Sequence, residues 1–169
     1  GSHCTKKSNP SHIFIIQLDV GCKGKAMASN KPLRMAFVLP CASLSGKSVT
    51  PSHHPIMTAT FAAVARCSGA EVMVLDAALR GLTPQQVATQ IIAWKADWVG
   101  LVPCEYRREL PLDTTLAISQ VLQLQQPEIQ VGVLNIPVGD LPSRRAVEEK
   151  RLGFVVFGDA EPAIAAFAQ

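Results

Sequence analysis

Trp98-Val99-Gly100-Leu101-Val102-Pro103-Cys104-Glu105 is the stretch on which the reading of this chain turns. A short apolar run stops at a proline and passes at once into Cys104 and the patch Glu105-Tyr106-Arg107-Arg108. A run with no polar alternation suits a parallel strand buried on both faces. We read it as the central strand of an α/β sheet. The C-terminal ends of such strands are where open α/β sheets place ligands.

The same pattern of strand, loop and amphipathic helix repeats on either side. Upstream, Arg34 to Pro40 (RMAFVLP) is nearly all apolar and ends at a proline, so it reads as the first strand. A long loop follows from Cys41 to Pro55. Ile56 to Ser68 is expected to be helical, with Ile56, Phe61, Val64 and Ala65 on one face. Ala59, Ala62 and Ala63 would allow close packing, and Gly69 suits the position after the helix end. Glu71 to Ala77 (EVMVLDA) reads as the second strand. Thr83-Pro84 then reads as N-cap and first residue of a helix to about Lys95, with Val87, Ile91 and Trp94 at helical spacing.

Downstream, Leu112-Asp113 opens a helix to about Gln126, with Leu116, Val121 and Leu122 as core candidates, and Pro127 ends it. Ile129 to Ile136 (IQVGVLNI) is the fourth strand. Leu141 to Arg151 reads as a short charged helix, and Phe154 to Gly158 as the fifth strand. Asp159 is expected to cap the last helix, EPAIAAFAQ, whose uncapped stop suggests an excised piece of a longer protein. Strict alternation with short connections implies a parallel sheet covered on both faces. The size suits a flavodoxin-like three-layer sandwich, Rossmann-like in class, with strand order 2-1-3-4-5 and a switch point between the first and third strands.

Residues 1–32 read as a tag remnant (Gly1-Ser2-His3) and a leader or linker, and residues 33–169 as one domain. Ile13 to Val20 (IFIIQLDV) fits either an extra edge strand or a linker piece packed on the domain. It is far shorter than the roughly 20 residues of a spanning helix, so no membrane role is expected. Across the 169 residues, 48 % are apolar and 17 % charged, as a packed chain requires. A net charge of +3 and 5 % aromatics supply neither a basic stripe nor stacking platforms, so nucleic acid is not an expected partner. The five cysteines, Cys4, Cys22, Cys41, Cys67 and Cys104, form no CxxC pattern. Plain thiols in a reducing cytoplasm are the expectation.

Each chemical motif has a plainer competitor. Ser45-Gly46-Lys47-Ser48 resembles the end of a phosphate-binding loop. The motif needs glycine at position 41, which is Cys41, and a helix beginning at the lysine, where Val49-Thr50-Pro51 stands instead. A loop packing over a ligand is the better reading. His53 and His54 precede a helix start. Adjacent side chains diverge, so they suit one metal poorly as a pair, although either is a weak candidate to ligate a cobalt. Cys104 has no spaced His or Asp partner for nucleophilic work. Asn135 to Asp140 leaves the fourth strand with turn residues, and Gly158-Asp159-Ala160-Glu161 leaves the fifth. No paired carboxylates, triad or metal cluster is written in the sequence. It reads as a binding domain without catalytic residues of its own.

In order, SGAEVMVLDA, LTPQQV, ADWVGLVP, QQPEIQVGVLNIP and FVVFGDAEPAI resemble the N-terminal cobalamin-binding domain of B12-dependent radical SAM enzymes. The likeness runs from about Arg34 to Gln169. Gly69 to Ala77 and Phe154 to Glu161 carry most of it. The family's usual Gly-Glu-x-Glu element begins here with Asp159 as its first acid. Its frequent Gly-Gly at the fourth strand end is replaced by Asn135-Ile136. The Asp-x-His-x-x-Gly motif of methionine-synthase-type domains is absent, as is the radical SAM Cys-x-x-x-Cys-x-x-Cys motif. The resemblance implies cobalamin over the C-terminal strand ends. Contacts would come from Pro40, Cys41, Ala42 and Ser43, from Val102, Pro103, Cys104, Glu105 and Tyr106, from Asn135, Ile136, Pro137 and Val138, and from Gly158 and Asp159. It also implies a methyltransferase-type partner domain, with S-adenosylmethionine and a 4Fe-4S cluster held there and not in this chain.

Two rivals stand beside it. A stand-alone cobalamin-dependent sensor or regulator would need no radical SAM domain, and His53 or His54 would then be free to ligate cobalt. A receiver-like or flavin domain fits less well. A receiver needs acids where Pro40-Cys41 and Pro103-Cys104 stand, and a flavin domain needs a phosphate loop richer in Ser, Thr and Gly than PCASLSG.

Overall fold

The apolar runs become strands and the periodic segments become helices, in alternation. The computed structural model describes residues 14–17, 31–46, 54–103, 112–137 and 151–169. In chain order these form β1 (Phe14–Gln17), β2 (Arg34–Leu39), α1 (Ile56–Cys67), β3 (Glu71–Asp76), α2 (Ala77–Arg80) and α3 (Pro84–Trp94). Then come β4 (Trp98–Leu101), α4 (Leu112–Gln125), β5 (Gln130–Ile136), β6 (Phe154–Phe157) and α5 (Glu161–Phe167). The expected helix over 141–151 lies outside the described residues, Arg151 excepted.

The sheet runs β1-β6-β5-β4-β2-β3. The five strands β2 to β6 pair in parallel in the order 2-1-3-4-5, which is the flavodoxin-like arrangement. β1 adds an antiparallel sixth strand on the β6 edge, with Phe14 opposite Phe157 and Gln17 opposite Phe154. Of the two readings of IFIIQLDV, the edge strand is therefore the observed one for these four residues.

Alternate residues of the strands feed two cores, as the period of two requires. On one face Ala36, Val38, Val99, Leu101, Val131, Val133 and Val155 pack with Val87, Ala88 and Ile91 of α3 and Leu116, Ile118 and Leu122 of α4. On the other, Met35, Phe37, Trp98, Leu134, Phe154 and Val156 pack with Phe61, Ala62 and Ala65 of α1 and Ala163 and Ile164 of α5. Trp98 stacks on Phe154 with ring centroids 5.0 Å apart and an interplanar angle of 17°. The cross-strand neighbours Gly100 and Gly132 make room for these rings. A Cβ on Gly100 would stand 2.7 Å from the Trp98 ring, and one on Gly132 would stand 2.4 Å from the Phe154 ring.

Four expectations need correction. Ile56 is 70 % exposed, because the buried stripe of α1 runs through Thr58, Phe61, Ala62 and Ala65, and a residue two places before Thr58 points the opposite way. Ala59 and Ala63 are exposed, so Ala62 alone of the three small residues packs closely. β3 stops one residue early, because the Asp76 carboxylate accepts from Leu79 N at 2.8 Å and starts the single turn α2. Asp159 does not cap α5. Ala160 holds the N-cap position and no side chain caps that end. The expected cap of α3 is present, with Thr83 and Gln86 forming a reciprocal capping box.

Candidate functional site

The switch point lies between β2 and β4. The chain leaves β2 toward α1 on one face of the sheet and reaches α4 on the other face after β4. Connections that diverge in this way leave room over the strand ends between them. The backbone continues the strand pairing just beyond β4, where Val102 N donates to Val38 O at 2.8 Å. Pro40, Cys41, Val102 and Pro103 are buried side by side at this point, and Cys41 is fully so.

Ala42 and Ser43 follow, both half-buried. Gly46 N donates to Ser43 O at 3.1 Å, and the hydroxyls of Ser43 and Ser45 lie 2.8 Å apart. This turn is seated on the turn that ends α2. Gly46 has φ +71, and a Cβ there would come 2.5 Å from Gly81 O. Glycine is required at 46 on both counts: the left-handed backbone and the close approach. Lys47 and Ser48, the remainder of the loop motif, lie outside the described residues.

At the β5 end the register with β6 shifts between Val133 and Ile136, so β5 carries a bulge at Leu134-Asn135. Asn135 has φ +55, left-handed for a non-glycine residue. Its half-buried side chain donates to the Met57 Sδ in the first turn of α1. Ile136 is buried and Pro137 exposed. At the β6 end Gly158 has φ +70 and donates to Ile136 O at 2.9 Å, and Asp159 is exposed. His54 is exposed just before α1, and its carbonyl accepts from Ile56 N at 2.8 Å.

The structure therefore brings Pro40, Cys41, Ala42, Ser43, Val102, Pro103, Asn135, Ile136, Pro137, Gly158 and Asp159 to the C-terminal ends of adjacent strands. Cys104, Glu105, Tyr106, Val138 and His53 lie outside the described residues. Sequence reasoning missed Met57. It stands 78 residues from Asn135, and no local pattern announces that contact. It also missed Gly81, whose carbonyl seats the Gly46 turn. Among the described residues no three His, Cys, Asp or Glu side chains are grouped to hold a metal ion, and no helix is long and apolar enough to cross a membrane.

Among the described residues gathered at these strand ends, Asp159 alone carries a charge. They offer hydroxyls at Ser43 and Ser45, a carboxamide at Asn135 and left-handed backbone at Asn135 and Gly158, above a buried apolar floor of Pro40, Cys41, Val102 and Pro103. Such a set can bind and orient a large uncharged ligand edge. No protein-family model matches this chain, and no curated protein matches it.

Proposed function

We propose that this chain is a cobalamin-binding domain, working with a radical SAM catalytic domain of the methyltransferase type that holds S-adenosylmethionine and a 4Fe-4S cluster. The resemblance of its motifs to that family suggests the reading. One structural observation supports it most: among the described residues, small and apolar ones meet at the switch point of a 2-1-3-4-5 sheet.

A corrin is a broad apolar disc edged with carboxamides. The residues present suit such a group. Cys41, Val102 and Pro103 form an apolar floor beneath the strand ends, and the small residues Ala42 and Gly158 above it are half-buried. Ser43 and Asn135 can pair with amides. When bound, cobalamin supplies a cobalt that carries a methyl group. This chain's residues would hold the disc and keep its open face toward a second domain.

The test is direct. The purified chain is mixed with hydroxocobalamin, desalted, and its visible spectrum recorded. A retained corrin spectrum is the expected result, and its complete loss on desalting would sink the reading. The sensor reading rests on His54, exposed beside the same strand ends. Substituting His53 and His54 by Ala would shift the bound corrin spectrum if either ligates cobalt. An unchanged spectrum would exclude that role.

A further inference from the structure

We infer that Asn135 recognises a primary carboxamide on the edge of the ligand, with Met57 as its resting partner; this rests on the cobalamin reading above. Three observations converge on this residue. First, β5 spends an extra residue here. Val133 pairs with Val155 and Ile136 with Phe157, so three steps along β5 match two along β6. Bulges of this kind bend a strand and re-aim a side chain, and they gather beside functional sites.

Second, Asn135 holds φ +55, which costs most residues free energy and which glycine holds without penalty. Asparagine tolerates the left-handed region better than other side chains, so the position keeps a carboxamide where bare backbone would be easier. Third, among the described residues the one hydrogen bond of that side chain runs to the Met57 thioether. A thioether is a weak acceptor, whereas a carboxamide offers two donors and an acceptor with two lone pairs. The group is half-buried, re-aimed and little used at the place where the ligand edge would lie.

A carboxamide is answered best by another carboxamide, each N–H donating to the other's carbonyl oxygen. The acetamide and propionamide arms of a corrin are such groups. On binding, the Asn135 amide leaves the Met57 sulfur for one of these arms. A carboxylate in place of that arm would retain the acceptor and lose the donor, so the reciprocal pair is broken.

The full chain is titrated with hydroxocobalamin and with its peripheral monocarboxylate isomers, in which one carboxamide is hydrolysed. Parent protein, Asn135→Gly and Met57→Leu are compared, with unfolding midpoints recorded. Gly suits the left-handed backbone and removes only the carboxamide. We expect Asn135→Gly to bind hydroxocobalamin about five- to tenfold more weakly, the scale of one or two neutral hydrogen bonds. The parent should disfavour one isomer by a similar factor, and Asn135→Gly should not. Met57→Leu should stay within about twofold of the parent. If Asn135→Gly fails to fold, Asn135→Asp, which lacks the amide donors, must show the same loss. Parent-like affinity in Asn135→Gly, or a loss in Met57→Leu as large as that in Asn135→Gly, would overturn the inference and leave the cobalamin reading standing. A parent chain that binds no hydroxocobalamin would remove both.

Discussion

Gly132→Ala tests the packing of the aromatic face. A Cβ at this position would stand 2.4 Å from Phe154 Cδ2 and 2.5 Å from Cγ and Cε2. Carbon atoms in contact prefer about 3.5–4.0 Å, so the ring would have to retreat by roughly 1 Å. It has little room. Phe154 is 2 % exposed, stacks on Trp98 at 5.0 Å and meets Phe167 at 5.2 Å. Overpacking of this kind costs about 1–3 kcal/mol, and a contact this short with a confined ring belongs near the upper end. Alanine returns about 0.4–1 kcal/mol by restricting the unfolded chain. A net loss of about 2 kcal/mol remains, or roughly 4–8 °C in Tm for a domain of this size. Urea unfolding followed by tryptophan fluorescence would measure it. The cause is checked by adding Phe154→Leu, which removes the ring. In that background Gly132→Ala should cost close to nothing, giving strong coupling between the two sites. A Gly132→Ala protein within about 0.5 kcal/mol of the parent, or a strictly additive pair, would refute the packing argument.

Gly46→Ala should weaken hydroxocobalamin retention more than it lowers the thermal midpoint, because its Cβ would drive the Ser43–Gly46 turn off Gly81 O while the cores stay intact; parallel desalting and melting experiments would show it. Thr83→Ala removes the reciprocal cap of α3 and should cost about 1 kcal/mol in chemical denaturation. Ser119→Ala removes a buried hydroxyl that donates to Arg151 O at 2.7 Å and should cost about 1 kcal/mol. Gln123 Nε2, 3.5 Å from the same carbonyl, softens that loss.

The fold was legible because its strands are short, apolar and evenly spaced by helical segments. Buried parallel strands need no polar alternation, so RMAFVL and WVGL announce themselves. Thr83-Pro84 and Gly69 were legible for a local reason, since a cap depends on the few residues beside it. The phase of α1 was not. Ile56 is the largest apolar residue of its first turn, yet the stripe that meets the sheet is set by Thr58 and Phe61. A polar residue buried on the core side hides the phase from a reading that follows hydrophobicity. The cap of α5 failed in the opposite way. Asp159 is a good capping residue by type, but Gly158 with φ +70 turns the chain just before it, and the helix begins after Ala160. For the candidate site, topology told which strand ends would gather, and the Met57–Asn135 contact across two elements was beyond any local signal.

The bulge in β5 shows why the site is harder to read than the fold. Alternation alone would send Val133 and Asn135 to one face and Leu134 and Ile136 to the other. Instead Val133 and Ile136 share the core beneath α3 and α4, while Leu134 packs with Met35 and Phe37 on the far side. One extra residue restores Ile136 to the face of Val133, and Asn135 absorbs the change in a left-handed turn. A strand apolar on both faces gives no period-two signal against which an inserted residue could be noticed. The sequence VGVLNI is therefore silent about the one irregularity that aims Asn135. Removing Asn135 would restore plain alternation and still leave Val133 and Ile136 in one core and Leu134 in the other. The bulge is thus not demanded by the core. Its visible consequence is to direct a carboxamide toward α1 at the strand ends, which is where a ligand of this fold is held.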